Sequence, residues 1–197
     1  MADVLNRDLP ADYFAEIQVR VGTPPSIADG LHDERDFAIA PAGMCLPAIY
    51  PDSIEVLVYT TEGGATVVAA VELISPGNKD RPESRRAFAA RCSAYLQQGI
   101  GLLIIDVVTD RHANLHNELV DLLDVGEKFR ISGEGLYAVA YRPIRRPNDE
   151  RIDAWAAALA VGKPLPLLPL ALDKFICIPL DLEAPYLEAC QRSRLPS

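Results

Sequence analysis

The hydrophobic positions change period several times along the chain, and each change predicts an element. Ile54 to Thr60 alternates and is β-branched, which predicts a strand. Glu62-Gly63-Gly64 reads as a turn of hairpin type, and Thr66 to Ile74 as a second strand. That second run is almost continuously apolar, so burial on both faces is expected, as in the middle of a sheet. It stops at Pro76 and Gly77. Pro82 to Gln98 then takes helical spacing, with proline in the first turn and Gly99 as the stop. Phe88, Cys92, Tyr95 and Leu96 fall on one face of this helix, at spacings of three and four. Ile100 to Val108 is a third apolar strand. Strand, helix and strand of this size predict a βαβ unit with parallel strands and a right-handed crossover.

The remaining segments are less regular. Leu9 to Val21 reads as a helical start that turns into an alternating strand, halted by Thr23-Pro24-Pro25. Ser26 to Tyr50 reads as loops around one short strand. A short helix is expected at Asn114 to Leu123, a strand at Leu136 to Tyr141, and a terminal helix at Asp181 to Arg192. Ile152 to Leu159 fits a helix by its alanines and a strand by its alternation. The Arg142 to Arg151 cluster, broken by two prolines, reads as a surface loop. Pro164 to Leu170 lacks an amide donor at three positions, so it is expected to run extended along a surface. The fold class is therefore α/β: a central mixed β-sheet flanked by helices. One domain over 1–197 is expected, with a core over about 50–142 and a proline-rich C-terminal extension over about 143–197.

Composition narrows the picture. A chain of 197 residues, 49% hydrophobic and 24% charged, is globular and large enough for a real core. Its net charge of −9 repels nucleic acid and anionic membranes, so nucleic-acid binding would need a local basic patch. The four cysteines form no C-x-x-C pair and read as small buried residues in a reducing compartment. No apolar run approaches the ~20 residues of a membrane span, and the N-terminus is polar and acidic. A cytoplasmic protein with no membrane association is expected.

Candidate chemistry concentrates in Val71-Glu72-Leu73-Ile74-Ser75-Pro76-Gly77-Asn78-Lys79. A carboxylate in a buried strand is costly unless it binds or pairs with something. Glu72 is thus either a metal ligand or an anion neutralised by Lys79 or by an arginine of the next helix. Lys79 is either an electrostatic helper or a solvated turn residue. Arg85 and Arg86, within the set Lys79, Arg81, Arg85, Arg86 and Arg91, are candidates for phosphate contacts, with Asp80 and Glu83 partly cancelling the charge. His112 and His116 are spaced i, i+4 and would share a helix face if both were helical. Ser75 lacks the surroundings of a hydrolase nucleophile and reads as a turn residue. No phosphate-binding glycine pattern occurs.

These blocks carry a resemblance. The Glu72–Lys79 motif, the basic helix ending in Tyr95, and Gly99-Ile100-x-Leu102-x-Ile104-x-Asp106 resemble a bacterial domain family of unknown function. So does the tail Lys163-Pro164-Leu165-Pro166-Leu167-Leu168-Pro169-Leu170, with Ile178-Pro179-Leu180-Asp181-Leu182 and Tyr186. The first block is also similar to putative restriction endonucleases of the PD-(D/E)XK superfamily. That resemblance implies a restriction-endonuclease-like sheet. On it an acidic residue of one strand and a glutamate of the next hold Mg²⁺, with a lysine beside them. Mg²⁺ takes carboxylate oxygens and waters, and activates a bound water against a phosphodiester. Glu72 matches the glutamate and Lys79 is the nearest lysine, Ile74 standing where the motif lysine belongs. Ser26 stands where the first aspartate is expected. Asp52, Asp29 and Glu55 are the substitutes, with Asp52 first because it heads the Ile54 strand. The expected function is a protein of nuclease-like ancestry whose metal-dependent phosphodiesterase activity is degraded or lost. The alternative is a non-catalytic protein- or ligand-binding module on the same fold. Nucleic acid and a second copy of the chain are the candidate partners.

Overall fold

The computed structural model describes residues 1–20, 53–133, 135–173 and 175–193. Asp52, the first-ranked partner for Glu72, lies outside the described residues. So do Ser26, Asp29, Cys45 and the loops expected over Ser26 to Tyr50.

Six strands form one mixed sheet in chain order among the described residues. They are β1 (Tyr13–Arg20), β2 (Ser53–Thr60), β3 (Thr66–Leu73), β4 (Gly101–Asp106), β5 (Leu136–Arg146) and β6 (Asp149–Leu159). Each neighbouring pair is antiparallel except β3 and β4. Those two are parallel because α3 (Pro82–Gln97) carries the chain from the end of one to the start of the other. The expected βαβ unit is present. Every residue of β4 is buried, which accounts for its unbroken apolar sequence at the centre of the sheet.

The sheet has two covered faces. On one, Leu57, Ala70, Leu102, Ile104 and Val139 pack under Phe88, Cys92 and Leu96 of α3 and Leu115 and Leu119 of α4 (Leu115–Leu123). On the other, Val56, Val71, Leu103 and Ile105 meet Leu5 of α1 (Ala2–Asp8) and a two-stranded hairpin. That hairpin pairs β7 (Leu167–Ala171) with β8 (Cys177–Asp181) and leads into α5 (Glu183–Arg192). Among the described residues no helix is long and apolar enough to cross a membrane.

Several expectations need correction. Tyr13 to Arg20 is strand from the outset, and the helix lies before it, at Ala2–Asp8. Pro76 ends β3 but begins a five-residue helix, α2 (Pro76–Asp80), capped by Ser75. The Arg142–Arg151 cluster is not a loop. It forms the distal half of the β5–β6 hairpin, turned at Pro147-Asn148, with Asn148 at a positive φ of 68°. Pro143 is tolerated there because β5 has run past Tyr141, its last residue paired with β4, to the margin of the sheet. Ile152 to Leu159 is strand, since β5 supplies a partner along its whole length.

The proline-rich segment is extended, with Pro164 and Leu167 exposed, but its end also enters the core. Leu168, Leu170 and Ala171 are buried in the core. Pro169 and Pro179 stand opposite each other, so both missing amide donors fall at one pair of the β7–β8 ladder. The contact with the main sheet is close: a Cβ on Gly101 would lie 2.0 Å from the Ala171 carbonyl oxygen, so only glycine fits where β4 begins.

Candidate functional site

Glu72 lies on β3 directly opposite Glu55 on β2. Side chains alternate across a strand, so both carboxyls point to the α3 face, among Leu57, Ala70 and Ile104. Both residues are 0% exposed. Like charges facing each other across a ladder repel, and burial raises the cost. Two residues of α3, one helical turn apart, answer this. Arg91 grips Glu72 with both arms of its guanidinium, Nε to Oε1 at 2.6 Å and Nη2 to Oε2 at 2.9 Å. The Tyr95 hydroxyl donates to Glu55 Oε2 at 2.7 Å. Burial pushes the Glu72 carboxyl up to about 7, with Glu55 adding to the rise and Arg91 opposing it. Burial also raises the Cys92 thiol and the Tyr95 hydroxyl above their ordinary ranges. Two facing carboxyls beside one guanidinium leave an excess negative charge, in line with the raised Glu72 carboxyl.

Lys79 is neither solvated nor beside Glu72. The Ser75 hydroxyl and Asn78 side chain form a capping box that starts α2, and α2 turns Lys79 inward to the end of β4. There its Nζ donates to Asp106 Oδ2 at 2.8 Å, with side-chain exposures of only 2% and 0%. Asp106 Oδ1 accepts the Val108 amide at 3.1 Å, and the Tyr137 hydroxyl also bonds this carboxylate. Burial raises the Asp106 carboxyl, against the pull of Lys79. The Tyr137 oxygen in turn accepts the amides of Leu115 and His116, at 3.0 and 3.1 Å, at the start of α4.

Arg85 bonds Glu118 at 2.8 Å and the Lys79 carbonyl at 3.3 Å, so it ties α3 to α4 and α2. Arg86 is exposed. The helix that carries His116 begins at Leu115, so His112 is not on it and the two share no helix face. His116 Nε2 must donate to the Phe129 carbonyl at 2.9 Å, which leaves Nδ1 to accept the Tyr141 hydroxyl at 2.6 Å. Burial lowers the His116 imidazole below its ordinary range, which favours this neutral tautomer.

The donor set around Glu72 does not suit Mg²⁺ as arranged. The Arg91 fork engages both oxygens, and a divalent ion sharing them would stand against a guanidinium. Among the described residues no group of three or more His, Cys, Asp and Glu is placed to hold a metal. The sequence resemblance brought Glu72, Lys79, Tyr95 and Asp106 to notice, and all four are buried or half-buried on the α3 face. It did not single out Arg91 or give Glu55 first place. A signal for both existed: Glu55 interrupts the apolar run Ile54 to Val58 of β2, and Arg91 falls one helical turn before Tyr95.

A second concave feature lies beside His116. A cavity of about 500 Å³ opens between the end of α3, α4, the single turn Glu127–Phe129 and the distal β5–β6 hairpin. Its wall is mostly apolar, including Leu119, Leu123, Phe129, Tyr141 and Ile152, while Arg145, Glu150 and Arg151 stand on the hairpin side. No local pattern in the chain marks it, because its lining comes from segments far apart in the sequence. No family model, curated protein or solved structure matches this sequence.

Proposed function

We propose that this chain is a non-catalytic binding module on a restriction-endonuclease-like α/β core, in which metal-dependent phosphodiesterase chemistry has been lost. The observation that carries the reading is the bidentate Arg91–Glu72 pair. A glutamate that served as a metal ligand would present free oxygens to an open cleft, whereas this one is sealed under α3 by a guanidinium. Lys79 supports the same conclusion, since its ammonium is buried against Asp106 and not against Glu72. At Asp106 it sits at the end of β4 and away from the Glu72 carboxyl that it would have to assist. Arg85 is committed to Glu118, which leaves Arg86 as the exposed member of the two phosphate-binding candidates. The open, mostly apolar cavity beside His116 is where such a module would bind, its volume falling within the ~300–1,000 Å³ usual for small-molecule sites.

One observation favours an active Mg²⁺-dependent nuclease: Glu55 sits on the preceding strand, directly opposite Glu72, as the companion acid of such a site would. The two readings separate in one experiment. The full chain is melted with and without millimolar Mg²⁺ or Mn²⁺ and incubated with single- and double-stranded DNA and RNA. An unmoved melting temperature and intact nucleic acid are expected. Metal-dependent cleavage that disappears in Glu72→Gln would overturn the non-catalytic reading.

A further inference from the structure

We infer that the cavity beside His116 takes an aliphatic carboxylate, with the apolar tail inside and the anionic head at Arg145. The inference rests on the binding-module reading and adds the ligand's chemistry.

Three observations support it. First, the polar groups of the cavity floor are already satisfied. His116 is bonded through both ring nitrogens, and Tyr141 donates its hydroxyl to one of them. The floor therefore offers a ligand no strong polar partner, which suits hydrocarbon. Second, the mouth keeps large apolar side chains in water: Val125, Phe129 and Ile152 are 47%, 52% and 38% exposed. A cluster of this kind around a concave opening marks a site that an apolar occupant covers. Third, the charge at the rim is specific. Arg151 is held by both Asp149 and Asp153. Arg145 makes no ion pair or hydrogen bond among the described residues. Its cross-strand neighbour Glu150 also faces the opening but forms no ion pair with it. Arg145 is thus an exposed, permanently charged cation at the mouth of an apolar chamber, with its donors open to a carboxylate fork.

The test uses octanoate and octan-1-ol, which share a tail and differ in the head, titrated into the full chain by calorimetry. Octanoate is expected to bind with a Kd on the order of 0.1–1 mM, and octan-1-ol about tenfold more weakly. Arg145→Gln should weaken octanoate about tenfold and leave octan-1-ol unchanged. Ala154→Trp, at an exposed position of the cavity wall, should abolish both without unfolding the protein. Equal binding of the two probes, indifferent to Arg145→Gln, would overturn the carboxylate assignment while sparing the cavity as a binding site. Absence of binding by either probe would remove the cavity itself. Self-association that Ala154→Trp abolishes, with no probe effect, would give the cavity to a second copy of the chain and likewise overturn the inference.

Discussion

At the scale of the residue, the decisive interaction is between Glu72 and Arg91. The carboxyl is fully buried yet doubly hydrogen-bonded, so its charge state is set by competition between desolvation and the guanidinium. Desolvation wins in direction: Glu72 moves from its ordinary 4.5 up to about 7. The native state therefore holds a proton through a window in which the unfolded chain has released it. The stabilisation from that proton is full below about 4.5 and is lost as pH rises through about 7. His116 works in the opposite sense, since its imidazole is lowered and its contribution is lost as pH falls below its ordinary value. Comparison with a variant isolates the Glu72 contribution. Chemical denaturation at about pH 5 and about pH 8 should show wild type losing stability relative to Glu72→Gln as pH rises. Parallel profiles for the two proteins would show that Glu72 does not bind the proton. The sequence marked Glu72 as the residue to explain because a charge interrupted an apolar run. It left open whether the partner was a metal or an arginine, because Arg91 is 19 residues away and only α3 packing on β3 brings the groups together.

At the scale of the element, local signals did most of the work. Pro82 and Gly99 bound α3, with Gly99 at a φ of 81°. The apolar runs of β3 and β4 foretold a buried parallel pair, and the register places Glu72 beside Ile104. Where two elements meet at backbone distance, the sequence was silent. Gly101 looks like an ordinary strand start, yet the Ala171 carbonyl leaves no room for a Cβ. Gly101→Ala should therefore destabilise the protein by about 1–3 kcal/mol, the usual effect of overpacking, measured by urea denaturation. A neutral result would mean that β7 moves away from β4 without penalty.

At the scale of the whole molecule, the C-terminal segment is part of the core and not an appendage to it. Leu168, Leu170, Leu172, Leu180 and Leu182, together with α1, cover the part of one sheet face that carries Val56, Val71, Leu103 and Ile105. A truncation after Gly162 exposes Val56, Val71, Leu103 and Ile105 to water. It should give a protein without a cooperative thermal transition, read by circular dichroism. A sharp transition in the truncated chain would restore the idea of a separable extension. The cavity is likewise a property of the whole. It exists only where the end of α3, α4 and the β5–β6 hairpin converge.

The sequence by itself determined what depends on near neighbours in the chain. It set the period of each strand, the limits of α3 and the parallel crossover, and it showed that Glu72 needed a partner. Those features arise from steric and hydrogen-bonding rules acting over a few residues. Tertiary structure alone decided which partner Glu72 received, that Lys79 turned inward to Asp106, and that a proline-rich tail closed the core. It also decided that an apolar chamber opened beside His116. Each of these is a choice among chemically equivalent partners, and only the three-dimensional distance between them settles that choice.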